Sequence, residues 1–175
     1  EAATSAHGTA ATTGQAGAVS VGFAADEATS TINLVTGYTG ALTLDNIINA
    51  TVTVGKASTS SGSITMTSAA TDLTLNASGA FSLGTNNIVS TDNLLDNVTV
   101  TGTKAVTYDD ITGTGIKAVS VTTAGAMDVG DVVASLTALS TVSYTSTGSS
   151  GAIISDNIGS ATVTSLTITE SAATA

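Results

Sequence analysis

The chain has 175 residues, 42% hydrophobic and 9% charged; thirteen acidic residues against three lysines (Lys56, Lys104, Lys117) leave a formal net charge of −10. Disorder requires low hydrophobicity and dense charge, so this composition argues against it, and the acidic balance repels nucleic acid and anionic membranes. No run of about 18 apolar residues offers a membrane-spanning helix, and the lack of cysteine excludes a disulfide scaffold or thiolate metal site.

Taken from the N-terminus, residues 1–17 carry neither a basic n-region nor an apolar h-region. With their Ala, Thr, Gly and His7 they read as a flexible, linker-like segment ahead of a single domain at 18–175. Apolar-polar-apolar triplets then recur. They are Ile32-Asn33-Leu34, Val52-Thr53-Val54, Leu73-Thr74-Leu75, Val98-Thr99-Val100, Val119-Ser120-Val121, Val142-Ser143-Tyr144 and Leu166-Thr167-Ile168, spaced by 20 to 25 residues.

A second short strand follows most triplets. It reads Ala41-Leu42-Thr43-Leu44, Ser63-Ile64-Thr65-Met66, Ala80-Phe81-Ser82-Leu83, Ala105-Val106-Thr107-Tyr108, Ala126-Met127-Asp128-Val129 and Ala152-Ile153-Ile154-Ser155. Turns built from Asp, Asn or Gly close five of these units, each followed by an aliphatic residue: Ile47, Ile88, Ile111, Val132 and Ile158. Asx residues suit such corners because they tolerate left-handed backbone and bond nearby amides.

This two-level repeat predicts an all-β fold, a parallel β-solenoid of about seven coils of 20–25 residues. Strand side chains alternate, so the outer residues of each triplet point inward and the middle residue outward. The outward residues Thr53, Thr74, Thr99, Ser120, Ser143 and Thr167 then form a column. Coils about 4.8 Å apart give a rod roughly 30 Å long. The absence of proline agrees, because every strand must donate amides to its neighbours. The alternative is an antiparallel β-sandwich, but its favoured Asn-Gly and Asp-Gly hairpin turns are missing. Residues 131–139 and 90–97 are candidates for short helical turns bulging from the coils.

The bias toward Ala, Thr, Ser, Gly and Val, the acidic balance and phrases such as Leu136 to Tyr144 and Ala161 to Thr169 resemble bacterial surface-layer proteins and large secreted adhesins of the RTX type. The resemblance is compositional and covers roughly residues 18–170. It implies an extracellular, lattice-forming or adhesive role at the cell surface. The glycine-rich nonapeptide that binds calcium in such repeats is not present, so the family's calcium sites do not carry over.

Catalysis finds little support. The only histidine, His7, lies in the linker-like start, and no phosphate-binding glycine loop occurs. Calcium is the best ligand, since hard cations need several oxygen donors. Stacking is expected to bring Asp45, Asn87, Asp109, Asp110, Asp131 and Asp156 to one edge, with Asp109, Asp110, Asp128 and Asp131 as the densest cluster and Asp92 with Asp96 as a second. The competing reading is ordinary turn chemistry.

The expected function is therefore a non-enzymatic extracellular scaffold that self-associates, stabilised by calcium if the acidic corners bind it. Other readings are an adhesin or carbohydrate-binding module using Tyr38, Tyr108 and Tyr144 on cell-surface polysaccharide, and an ice-binding solenoid using the outward threonines. A pilin-like fibre donating its N-terminal strand would follow from a sandwich fold.

Overall fold

The computed structural model describes residues 9–12, 17–35, 37–55, 62–131, 137–148, 153–155 and 162–171. They form a β-solenoid of about six turns, with no helix among them. The count falls one short of the seven triplets because seven triplets bound six complete turns. Every strand pairing is parallel, which excludes the sandwich.

The described strands fall on three faces. The long face stacks β1 (Thr9–Thr12), the second halves of β2 (Val19–Leu34) and β3 (Leu42–Val54), then β5 (Asp72–Ala77), β8 (Asn97–Gly102), β11 (Ala118–Thr123), β13 (Thr141–Ser146) and β15 (Ser165–Glu170). A second face stacks the starts of β2 and β3 on β4 (Ile64–Met66), β7 (Ile88–Ser90) and β10 (Ile111–Thr112). The third joins β6 (Phe81–Ser82), β9 (Val106–Tyr108), β12 (Met127–Val129) and β14 (Ile153–Ser155). β1 lies within the stretch expected to be linker-like, whereas His7 lies outside the described residues.

The six Ala- or Ser-led strands of the sequence divide between two faces. Leu42–Leu44 and Ile64–Met66 belong to the second face, and the other four to the third. In the first coils one continuous strand bends round the corner between the second and long faces. At that bend β2 bulges opposite Asn46, which adopts φ 56 and donates its side-chain Nδ2 to the Phe23 carbonyl at 2.7 Å.

Register also departs from the triplets. Val52-Thr53-Val54 lies beside Leu75-Asn76-Ala77, while Leu73-Thr74-Leu75 lies beside Ala50-Thr51-Val52. The strand has three inward ranks, not two. The first grows from Ser30 and Ala50 to Leu73, Val98, Val119 and Val142; the third shrinks from Leu34 and Val54 to Ala77, Gly102, Thr123 and Ser146. The middle rank stays large throughout, with Ile32, Val52, Leu75, Val100, Val121 and Tyr144 fully buried. Core volume thus shifts sideways along the rod.

The outward threonines form two ranks as a result. Thr31, Thr51, Thr74, Thr99, Ser120, Ser143 and Thr167 make one; Asn33, Thr53, Asn76, Thr101, Thr122, Thr145 and Thr169 make the other. Residues 90–97 run from the end of β7 through bends at 91–93, with Asn93 at φ 59, to the start of β8, with no helical turn. Much of 131–139 lies outside the described residues.

Candidate functional site

The acidic corners are organised by backbone amides. At the corner entering the second face, Ser63 Oγ accepts from the Asn87 amide at 3.3 Å and Asn87 Oδ1 accepts from the Asp110 amide at 3.3 Å. Asp110 Oδ1 in turn accepts from the Asp131 amide at 2.9 Å. Each side-chain oxygen therefore caps the next coil's corner, where the turn leaves an amide without a ladder carbonyl. This is why the sequence repeats a short Asx or Ser side chain at that position: the oxygen must reach one coil, about 4.8 Å, and no further.

Asp45 stands at a different corner, between the second and long faces. Its Oδ1 accepts from Thr67 Oγ1 at 2.7 Å and from Ser68 Oγ, which also stands 2.9 Å from Asn46 Oδ1. The Ser68 and Thr67 hydroxyls hold its carboxyl below the ordinary value of 3.8. Asp45 thus leaves the edge it was expected to share with the other aspartates. Asp109 follows β9, its amide bonded to the Asn86 carbonyl at 3.2 Å. Asp128 is exposed in the middle of β12, and Asp156 lies outside the described residues. Asp92 accepts from Ser90 Oγ and the Leu94 amide, both at 3.1 Å, and Asp96 pairs with Lys117 at 2.7 Å. Among the described residues, no three Asp, Glu or His side chains come close enough to share a metal ion.

Two features were hidden in the sequence. The first is a set of Ser and Thr hydroxyls just beyond strand ends that donate to carbonyls one coil back. Thr91 to Met66 (3.1 Å), Ser140 to Lys117 (3.1 Å) and Thr147 to Thr123 (3.2 Å) are examples. Their spacing of one coil would have revealed them only once the register was known.

The second is an open groove of about 460 Å³ along the rod. It follows the end of the third inward rank, lined by Ala77, Gly102 and Thr123 together with the outward Thr53, Asn76, Thr101 and Thr122. Its lining includes no charged or aromatic residue. Tyr38, Tyr108 and Tyr144 do not reach it; all three are buried, at most 2% exposed. Burial pushes the Tyr144 phenol up to about 12 and that of Tyr108 well above its ordinary value. The two hydroxyls lie near enough to perturb each other's titration, with Ser155 beside Tyr144, yet neither makes a well-formed hydrogen bond among the described residues.

Against this geometry, no protein-family model matches the chain, and neither a curated protein nor a solved structure matches it.

Proposed function

We propose that this chain is a non-enzymatic structural segment of an extracellular, surface-layer-like scaffold that associates with further copies of itself. The observation that supports this reading is the uninterrupted parallel ladder of the long face, in register from β2 through β15. A rod made this way holds itself together by nearest-neighbour stacking. It presents mostly short, uncharged side chains outward. The mutual repulsion of a −10 net charge keeps such rods soluble until a specific contact joins them. The corner aspartates act first as caps, and calcium, if bound, screens them.

Circular dichroism melts with light scattering, run in EDTA and then across a calcium titration with magnesium as control, test this. The scaffold reading expects cooperative β-sheet melting and particle growth with concentration; non-cooperative melting with no growth would overturn it. A calcium-specific rise in melting temperature, lost in Asp110→Asn although the cap oxygen remains, would place calcium at that corner. Equal melts in EDTA and calcium leave the caps alone responsible.

The groove favours one second reading, an adhesin that lays a neutral polysaccharide chain along the rod. Isothermal titration with neutral glucans and mannans, against a Thr101→Val/Thr122→Val variant, tests it. Binding that the variant retains unchanged would place the sugar elsewhere.

A further inference from the structure

The two outward ranks of the long face repeat in two directions. Within a strand their members stand two residues apart on one side of the sheet, about 6.6 Å. From strand to strand they advance by one coil, about 4.8 Å. From Thr31 and Asn33 to Thr167 and Thr169 the pairing on this face keeps one register. The single register shift in β2 falls between Gly22 and Glu27, ahead of these ranks. Coil lengths that vary from 20 to 25 residues are therefore absorbed elsewhere, and the grid is left even. Ten of its fourteen members are threonine, and the others are Asn33, Asn76, Ser120 and Ser143. None is buried. Threonine is branched at Cβ and stiff at χ1, so most of the grid is fixed in place before anything binds. Thr101 Oγ1 also donates to Asn76 Oδ1 at 2.6 Å, tying neighbouring coils within one rank. Although the chain carries a net charge of −10, neither rank holds an ionisable side chain. The nearest carboxylate on this face, Asp72, lies one rank aside and accepts from Asn97 Nδ2 at 2.7 Å.

We propose that the long face binds ice, with the two threonine ranks seated on a crystal plane. A single threonine holds water no better than any other surface hydroxyl. An even grid differs, because each coil adds the same small contact and the sum grows only against a surface that repeats at the same spacings. Both spacings of the grid lie close to those of water oxygens on the faces of hexagonal ice. Charge selects the same occupant: ionic crystals call for rows of carboxylate or ammonium groups, and these ranks are neutral. Crystalline polysaccharides are ordinarily gripped by aromatic platforms, and no ring stands in either rank. Preorganisation supplies the remaining requirement, since stiff side chains on a hydrogen-bonded ladder lose little freedom when the water above them freezes. The inference is independent of self-association, which uses no residue of this grid by necessity.

Osmometry on single ice crystals in solutions of the 175-residue chain tests this. The expected result is faceted crystals and a gap between melting and freezing points that widens with protein concentration. A Thr99→Tyr/Ser120→Tyr variant puts two rings in the middle of the first rank and spares every residue lining the groove. Tyrosine suits an outward strand position, so the far-ultraviolet spectrum should be unchanged while the gap and the facets are lost. Thr65→Tyr, at the outward position of β4 on the second face, should keep both. Partition into slowly growing ice gives a second reading: the wild-type chain should be taken up and the double variant left in the liquid, as serum albumin is. Smooth crystals without a gap, together with exclusion of the wild-type chain from ice, would overturn the proposal. A gap that survives in the double variant, or is lost in Thr65→Tyr, would overturn the assignment to this face. Light scattering reads the scaffold function separately, so particle growth without ice binding would remove this inference and leave that one standing.

Discussion

The two ends of the rod are built differently. In the first coils, β2 and β3 run unbroken through 16 and 13 residues round a corner, held by the Asn46 to Phe23 bond and by Asp45, Thr67 and Ser68. Their inward residues Val19, Val21, Ile32 and Leu34 are at most 2% exposed. In the last coils the chain is cut into short strands, the third inward rank is reduced to Thr123 and Ser146, and among the described residues β15 is paired on one side only. The contrast shows that in a stacked fold a side chain's worth depends on how many coils flank it. The same Leu contributes fully in mid-stack and little at an open end.

The largest expected effect breaks that dependence directly. Leu75 is fully buried between β3 and β8, whereas Leu166 occupies the neighbouring inward rank on the open strand. Leu75→Ala should cost about 2–5 kcal/mol in denaturant unfolding. Leu166→Ala, measured at a concentration where the chain is monomeric, should stay within about 0.5 kcal/mol. Equal losses would mean that residues beyond those described cover β15.

Corner tightness comes next. A Cβ at Gly130 would overlap the Asp109 carbonyl oxygen, while one at Gly22 would meet only the Asp45 Cβ at 3.3 Å. Gly130→Ala should therefore lower stability by about 1–3 kcal/mol through overpacking, and Gly22→Ala by much less. Thermal melts of the pair would separate a tight corner from a roomy bend; Gly40, Gly55 and Gly62 in the first coils, where a Cβ would also overlap backbone atoms, should behave like Gly130. A smaller loss, about 1 kcal/mol, is expected for Asp110→Ala, which leaves the Asp131 amide without its acceptor. Amide exchange at Asp131 should quicken in that variant and not in Asp110→Asn.

Much of this architecture was legible in the sequence because period-2 alternation and Asx corners recur at near-constant spacing. Register was not. Leu34 and Leu73 look alike as strand residues, but one is a third-rank and the other a first-rank inward position. The sideways drift of core volume hides that offset from any search for the most apolar pair. Asp45-Asn46-Ile47 and Asp109-Asp110-Ile111 likewise share a local signature yet occupy different corners, since only strand pairing says which face a turn joins. The corner caps were readable as turn chemistry. The groove was not, because its lining residues, from Thr53 to Thr147, meet only once successive coils are stacked in register.

The smallest expected effect separates the early from the late tyrosine sites. Tyr38, in the first coils, donates toward the Gly62 carbonyl at 3.5 Å, whereas Tyr108 and Tyr144 bury hydroxyls with no partner among the described residues. Removing an unsatisfied buried hydroxyl costs little, so Tyr144→Phe should change stability at neutral pH by no more than about 1 kcal/mol, and in the stabilising direction if anything. Alkali should reveal the difference. The Tyr144 phenol ionises at about 12 in the fold against 10.0 for an exposed tyrosine. Its contribution is therefore complete below 10 and is lost as pH rises toward 12, because the unfolded chain releases the proton first. Tyr144→Phe should flatten that alkaline decline in denaturant midpoints. Tyr38→Phe should leave the decline in place and cost its hydrogen bond at every pH. A decline identical in both variants would assign the alkaline loss to other groups and remove the distinction between the two ends of the core.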